Sequence, residues 1–519
     1  MNDEFDFVIV GAGSSGAVLA NRLSADPRNR VCLIEAGPKD SSWLIDLPLG
    51  VIWLSKDKRH NWLHKSTPQT GLAGRTVSIP RGKVLGGSSS INGMIYIHGH
   101  RSDYDDWAKA GCTGWGYDDV LPYFHKLQKT LSVSPLRNPS PIDQDFIDAA
   151  AKLQIRPCTD FNVAEPEGVG IYKVTQHGGK RHSSARAFLS GIEGRANLKI
   201  MTNAEVTKLN VSNRKVRGIV VRHNGQEMAI EARGEVILSA GTIGSPDILL
   251  RSGIGPAAQI RAMGATLIHD LPGVGQNLQD HVDMMVICTS QSTKPYGISM
   301  QALPRLAREG LRWIFGQRGM LSSNMVEAGG FVRSQASEPR PDIQFHIIPG
   351  RKSHRGRMLE YGHGVSLHTC VLRPESRGSI SRTSLVGAPN IDLGLLQANN
   401  DLETLLRGIK LARKILNEEP IAKLGLTELV PGVDAQSDDE LRKAIRTHAR
   451  TVYHPVGTCA MGTEKNAVVD QSLKVHGLEG LRIVDASIMP TIVSGNTNAP
   501  AMMIAEKAAD IILAEINQR

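Results

Sequence analysis

The feature that most constrains this chain stands at its start. Phe5-Asp6-Phe7-Val8-Ile9-Val10 runs directly into Gly11-Ala12-Gly13-Ser14-Ser15-Gly16, a helical pattern follows, and Val31-Cys32-Leu33-Ile34 ends at Glu35-Ala36. A short apolar run bounded by a glycine turn reads as a buried parallel strand, and the three glycines have the spacing of a pyrophosphate-binding turn opening a helix. Gly11 permits the sharp turn, Gly13 leaves room for a phosphate beside the backbone, and Gly16 lets the helix lie close to the sheet. The unpaired amides and macrodipole of the helix start favour an anion, and Glu35 is placed to accept hydrogen bonds from a ribose diol. Glycine spacing alone also occurs in ordinary turns. The strand before it, the helix after it and the acid at the right distance make this a dinucleotide site.

At 519 residues the chain is expected to hold roughly two to four structural units. No apolar run approaches the roughly twenty residues of a membrane span, and no apolar signal segment precedes the first strand, so the expectation is a soluble, cytoplasmic protein. Peripheral contact with the inner membrane is the alternative location. The six cysteines (32, 112, 158, 288, 370 and 459) show no metal-ligand spacing and read as reduced, structural thiols. The net charge of +9 is not gathered into a long basic tract, which argues against a nucleic-acid partner, and the local cluster Arg351-Lys352-Ser353-His354-Arg355-Gly356-Arg357 reads as a solvated loop.

No internal repeat or low-complexity linker separates domains, so they are expected to interleave. The tract from Pro80 to Met94, including Val84, Gly87, Ser88, Asn92 and Gly93, offers many amides and few side chains to bury, as suits a loop wrapped around a ligand. Glu235–Gly241 reads as a further strand of the nucleotide sheet. Short strand-like runs at 342–348, 365–372, 378–382 and 390–393 suggest a second, antiparallel sheet. A helix is expected from Asn400, with Glu403 completing a capping box and Leu402, Leu405, Leu406, Ile409, Ala412 and Ile415 facing the core. Leu481–Ser487 ends another strand at an acid, and Ala499-Pro500 opens an apolar C-terminal helix. The expected fold is therefore α/β (α+β overall), a Rossmann-like nucleotide-binding domain (1–155, with part of the substrate domain, and 195–290) interleaved with a substrate domain built on an antiparallel sheet with helices (156–194 and 291–445). Residues 446–519 return as a catalytic C-terminal segment.

Taken in order, the glycine turn with Glu35-Ala36-Gly37, the tract Arg81–Asn92, Gly241–Pro246 through Ser252–Gly255, Leu271–His281, Tyr453–Cys459 and Ser494–Pro500 resemble the glucose-methanol-choline (GMC) oxidoreductase family over essentially the whole chain. The resemblance implies FAD as cofactor. It implies that Val84, Gly87, Ser88 and Asn92–Met94 hold the isoalloxazine, that adenine packs near the backbone of Val206, and that Asp485-Ala486 contact the ribityl and phosphate end. Trp62 and Tyr453 match positions that approach the flavin, Ala240 ends the strand of the nucleotide sheet, and Thr497 leads into the last helix. Some relatives carry a flavin-bonding histidine where this chain has Ile91, so attachment there is excluded by chemistry and FAD is expected to be non-covalent. By the same resemblance His454 is the base that takes the substrate hydroxyl proton, a task its near-neutral pKa suits, and Asn496 donates to and orients the substrate oxygen. Glu327 lies where relatives wall the substrate cavity; a structural, hydrogen-bonded glutamate is the competing reading. After Phe124 the chain passes quickly to Leu131, where relatives carry a longer glycine-containing stretch, which implies either a shortened lid or a stretch absent from the sequence.

The expected activity is an alcohol or choline dehydrogenase-like oxidation of a primary or polyol-type alcohol, with a hydride passing to the flavin and electrons going on to a quinone or other acceptor. The competing readings are an oxygen-using oxidase, an FAD-containing hydroxynitrile lyase and an FAD-binding structural protein, the last opposed by His454 together with Asn496. The sequence is silent on oligomeric state.

Overall fold

The computed structural model describes residues 4–353 and 360–518. Residues 354–357 of the basic cluster lie outside the described residues.

Two sheets organise the chain. The first has the order 198–201, 31–34, 4–10, 226–238, 215–223 and 204–212, with Leu481–Ile483 pairing the far side of Gln226–Leu238. The four strands around Glu4–Val10 and Leu481–Ile483 run parallel, whereas 204–212 and 215–223 extend the sheet as antiparallel strands. Val31–Ile34 is buried at every position, as a strand covered on both faces requires. The Ser14–Leu23 helix and the C-terminal helix Asn498–Asn517 pack against each other beside this sheet, and so bring their N-termini together.

The second sheet is antiparallel, in the order 426–430, 282–290, 362–371, 343–348, 328–332 and 168–171. Val282–Ser290, which the sequence assigns to the end of the nucleotide-binding stretch 195–290, belongs to this sheet. It pairs residue for residue with His363–Cys370, so the chain crosses between the sheets before Val282. The runs at 379–381 and 390–392 form a separate two-stranded ribbon. The Asn399–Asn417 helix covers the second sheet with Leu402, Leu405, Leu406, Ile409, Ala412 and Ile415 buried, but the expected capping box is not formed. Its N-cap is Ala398, without a side-chain cap bond, and Glu403 instead reaches across to Arg442 at 2.8 Å. A carboxylate opposite a guanidinium is better satisfied than one folded back on its own helix start. After the Tyr117–Gln128 helix the chain turns directly to buried Leu131 through Thr130 and Leu131 amides on the Leu127 carbonyl.

None of the six cysteines is in a disulfide. Among the described residues no helix is long and apolar enough to cross a membrane, and no group of His, Cys, Asp and Glu is arranged to hold a metal ion.

Candidate active site

The glycine turn is built for close approach. A Cβ on Gly16 would lie 1.9 Å from the Gly11 carbonyl oxygen, and one on Gly87 would lie 2.7 Å from the Gly13 Cα. The second contact brings the Gly87–Ser90 turn directly against the pyrophosphate-type loop. Gly13 caps the first helix with no side-chain bond, and Thr497 does the same for the C-terminal helix. Ser14 donates to Asn498 at 2.6 Å and Ser15 to the Ala501 carbonyl at 2.8 Å, which locks the two helix starts side by side. Two adjacent helix N-termini without side-chain caps form a cradle for an anionic ligand.

Glu35 is buried just past its strand and accepts the Ala12 amide at 3.0 Å and the Gly37 amide at 2.9 Å, one on each oxygen, with Ala36 between. Burial pushes its carboxyl up to about 7, against the pull of those amides and of Lys83. Each oxygen keeps lone-pair capacity for a diol. Val206 lies buried in the 204–212 strand, its carbonyl held by Arg251 at 3.1 Å.

In the tract before Met94, Val84 is buried and Ser88 Oγ accepts the Gly82 amide at 3.1 Å. Asn92 Oδ1 accepts the Met94 amide at 3.0 Å, and a Cβ on Gly93 would meet nothing within 4 Å. The tract is stapled by a residue that sequence reasoning missed. Buried Arg181 donates to the carbonyls of Ile45 (3.0 Å), Ser89 (3.1 Å) and Asn92 (2.7 Å) and to Asn92 Oδ1 (2.9 Å). No local motif marks Arg181, which arrives from a two-residue strand far along the chain.

The Asp485 side chain serves the protein's own turns. Its carboxylate accepts the Gly241 amide (2.9 Å), the Ser245 hydroxyl (2.6 Å) and the Ser487 amide (2.8 Å), so it caps the helix that follows Ala240 and starts the turn at Ala486. Both oxygens are engaged within the protein, and the main chain of 485–486 is what remains for a ligand. Trp62 is partly exposed, its ring stacked on His64 and covered by the Lys83 ammonium at 4.3 Å; Tyr453 is exposed to the same degree, 38%.

Glu327 belongs to the structural reading. It is fully buried, accepting the Ser140 amide at 2.6 Å, the Tyr296 hydroxyl at 3.2 Å and the Ser323 hydroxyl. It also faces Asp143, whose carboxyl is pushed far above its ordinary value by burial and then by the Glu327 charge. The residue ties the Pro141–Lys152 helix start to the second sheet.

His454 and Asn496 do meet. Asn496 Nδ2 lies 3.1 Å from His454 Nε2, and His454 Nδ1 lies 3.0 Å from His281 Nδ1. The neighbours settle every donor. His281 Nε2 is 3.1 Å from the Leu372 carbonyl, which can only accept, so His281 carries its proton there and presents a bare Nδ1. His454 must therefore hold its proton on Nδ1, leaving Nε2 bare. The other end agrees independently. Tyr172 donates to the Phe345 carbonyl at 2.7 Å, Gln344 donates to Tyr172 at 3.5 Å and to Asn496 Oδ1 at 3.3 Å, and this turns the Asn496 amide nitrogen toward His454. The His454 main chain is held by its amide on Asp280 at 2.9 Å, and Asp280 also takes the Thr451 hydroxyl.

Burial holds the His454 imidazole well below its ordinary pKa, followed by the effects of His281, His346 and Arg81. His281 and His346 are each pushed down to about 3, chiefly by burial. Asp280 is raised to about 6 for the same reason. The three imidazoles are thus neutral at pH 7, with one bare imidazole nitrogen beside one amide donor, while Asp280 keeps its charge on the far side of the His454 main chain. Gln344 and His346 share a face of the 343–348 strand, and Gln344 Oε1 and His346 Nε2 lack well-formed partners. His281 stands in the motif ending at Asp280-His281, where an acid next to a histidine was the available signal; Gln344, Tyr172 and His346 carry none.

Two family models, both described as GMC oxidoreductase, match residues 5–283 and 374–505. The chain belongs to the GMC oxidoreductase family. It is 45% identical to the alcohol dehydrogenase [acceptor] of Pseudomonas putida, with 99% of this chain and 96% of that protein covered. It is 40% identical to human mitochondrial choline dehydrogenase, covering 98% and 90% respectively. Among solved structures, pyridoxine 4-oxidase from Mesorbium loti superposes with a TM-score of 0.87 at 31% identity over 98% of each chain. Formate oxidase from Aspergillus oryzae superposes with a TM-score of 0.92 at 25% identity over 99% of each. The protein is an FAD-dependent oxidoreductase, and the paired helix starts, the open Gly13 and Gly93 positions and the buried Glu35 fit that cofactor.

Proposed function

We propose that this enzyme oxidises a neutral primary alcohol, aliphatic or polyol-type, to the aldehyde and passes the electrons to a quinone or another acceptor in place of oxygen. FAD, held without a covalent bond, supplies the two-electron acceptor that takes the hydride. The observation that carries the reading is the bare Nε2 of His454, 3.1 Å from the Asn496 amide. A hydroxyl inserted between them satisfies both groups, donating its proton to His454 and accepting from Asn496. As the carbinol carbon loses hydride, His454 takes the hydroxyl proton while the Asn496 dipole stabilises charge on the oxygen. Proton to His454 and hydride to the acceptor account for both hydrogens that leave the alcohol.

A neutral substrate is favoured because the surrounding side chains, Gln344, Tyr172, His281 and His346, are uncharged. Of the two carboxylates flanking His281, Asp280 is engaged as described, and Asp283 sets Oδ2 against His368 at 2.8 Å and Arg450 at 3.6 Å while its Oδ1 has no hydrogen-bond partner. Choline is the second reading, supported by the similarity to choline dehydrogenases. Anaerobic addition of aliphatic alcohols, polyols and choline tests it. Bleaching of the flavin by neutral alcohols, with slow recovery in air and fast recovery with a quinone or dye, is the expected result. Bleaching by choline alone overturns the substrate, and rapid recovery in air with stoichiometric peroxide overturns the acceptor.

A further inference from the structure

Leu303–Gly316 is an amphipathic helix that is packed inside out. Its polar side holds it to the protein. Buried Glu309 accepts the Met320 amide at 2.9 Å and pairs with Arg312 at 3.0 Å, and Arg305 donates to the carbonyls of Thr293 (2.7 Å), Lys294 (3.2 Å) and Pro295 (3.0 Å). Its apolar side faces solvent. Leu303, Leu311, Ile314 and Phe315 are 49, 55, 69 and 85% exposed, and Met300, just before the helix, is 73% exposed. Positions 300, 303, 307, 311 and 314 fall on one stripe at helical spacing, with Phe315 beside it. An ordinary surface helix buries such a stripe; this one spends its polar residues on attachment and leaves the stripe bare.

The charge around the stripe identifies what covers it. The segment 303–318 contains four arginines (305, 308, 312 and 318) and one acid, the buried Glu309. Arg308 borders the stripe with its side chain 68% exposed. A bare apolar stripe edged by arginines, with no exposed acid within 303–318, is complementary to a bilayer surface with anionic headgroups, into which such a helix sinks by roughly 5–10 Å. We propose that the Leu303–Gly316 helix docks the enzyme on an anionic lipid surface.

The helix is also coupled to the cofactor cradle. The turn Met320–Ser322 packs against it, Gln176 bridges the Ser322 carbonyl (3.2 Å) and Met94 Sδ (3.9 Å), and Asn324 donates to the Gly93 carbonyl at 2.7 Å. Docking therefore holds the Gly93–Met94 loop close to a phase in which a lipophilic quinone dissolves; this consequence, unlike the docking itself, rests on the proposed function.

The test is co-sedimentation of the full-length, FAD-loaded enzyme with vesicles of phosphatidylcholine alone and of phosphatidylcholine doped with phosphatidylglycerol. The expected result is binding to the anionic vesicles that weakens with added salt. Leu311→Ser with Phe315→Ser should lower it by roughly tenfold or more, and Arg308→Gln with Arg318→Gln by roughly fivefold per arginine. Dye-linked turnover without lipid is measured in parallel and should match the parent in all variants. Parent enzyme that stays in the supernatant with both vesicle types, or a Leu311→Ser/Phe315→Ser variant that pellets like the parent, overturns the proposal. So does a parent dimer that this variant converts to monomer without any vesicle binding, which would assign the face to a second copy of the chain. Absence of alcohol turnover with vesicle binding intact would overturn the proposed function and leave the docking surface standing.

Discussion

His281→Ala removes one acceptor and leaves two buried groups without partners, the Nδ1–H of His454 and the Leu372 carbonyl. In the parent, the bond to His281 favours the His454 tautomer with Nε2 bare. Without it, that tautomer keeps an unsatisfied N–H, while a protonated Nε2 finds an acceptor once the Asn496 amide flips and presents Oδ1 in place of Nδ2. One buried, unpartnered donor costs about 1–3 kcal/mol. At about 1.4 kcal/mol per factor of ten, the productive tautomer, and with it the rate of flavin reduction, should fall roughly 5- to 150-fold. The assay is anaerobic stopped-flow bleaching under saturating alcohol, with FAD content measured first to confirm an intact cradle. His281→Gln is the companion variant, since its carbonyl can accept from His454 and its amide can donate to Leu372, and it should recover much of the loss. A His281→Ala enzyme that retains FAD and is reduced at the parental rate would refute the tautomer argument.

Acid denaturation should release intact FAD into the supernatant, because Ile91 offers no group for a flavin bond; yellow precipitate would contradict this. Asn496→Ala should slow flavin reduction by about 2–4 kcal/mol, the usual worth of one donor to developing negative charge, while His454 stays in place, and reduction at the parental rate would count against its role. The pH profile follows from a depressed imidazole: His454 sits well below 6.5 in the folded protein, so it remains a free base as pH falls through 6.5. Flavin reduction should therefore be level across neutral pH with its acid limb below 6.5, and a limb at or above 6.5 would contradict the buried, neutral site.

The parts of this molecule that are local in sequence were legible in it. The βαβ start needs only a buried strand, three glycines and an acid, and the second sheet showed through its short strands between turn residues. His454 and Asn496 were reached through motif resemblance, and they meet although far apart in the chain. What joins them was not legible, because each link is a long-range contact made by a residue with no pattern of its own. Gln344, from the 343–348 strand, and Tyr172, just past the 168–171 strand, orient Asn496, and Arg181 staples the 80–94 tract from a third region. One local reading failed: Glu403 has the spacing of a capping box, but its carboxylate is taken by a better partner, Arg442. The 303–316 helix has the periodicity of a core element, and only the structure reveals that its polar side faces inward.

The central claim is that His454, with Nε2 bare and beside Asn496, takes the proton from an alcohol as the flavin is reduced. Anaerobic stopped-flow reduction of the His454→Ala enzyme tests it most directly. Loss of a general base should slow bleaching by roughly two to four orders of magnitude with FAD still bound. A His454→Ala enzyme that keeps its FAD and bleaches with alcohol as fast as the parent would contradict the account.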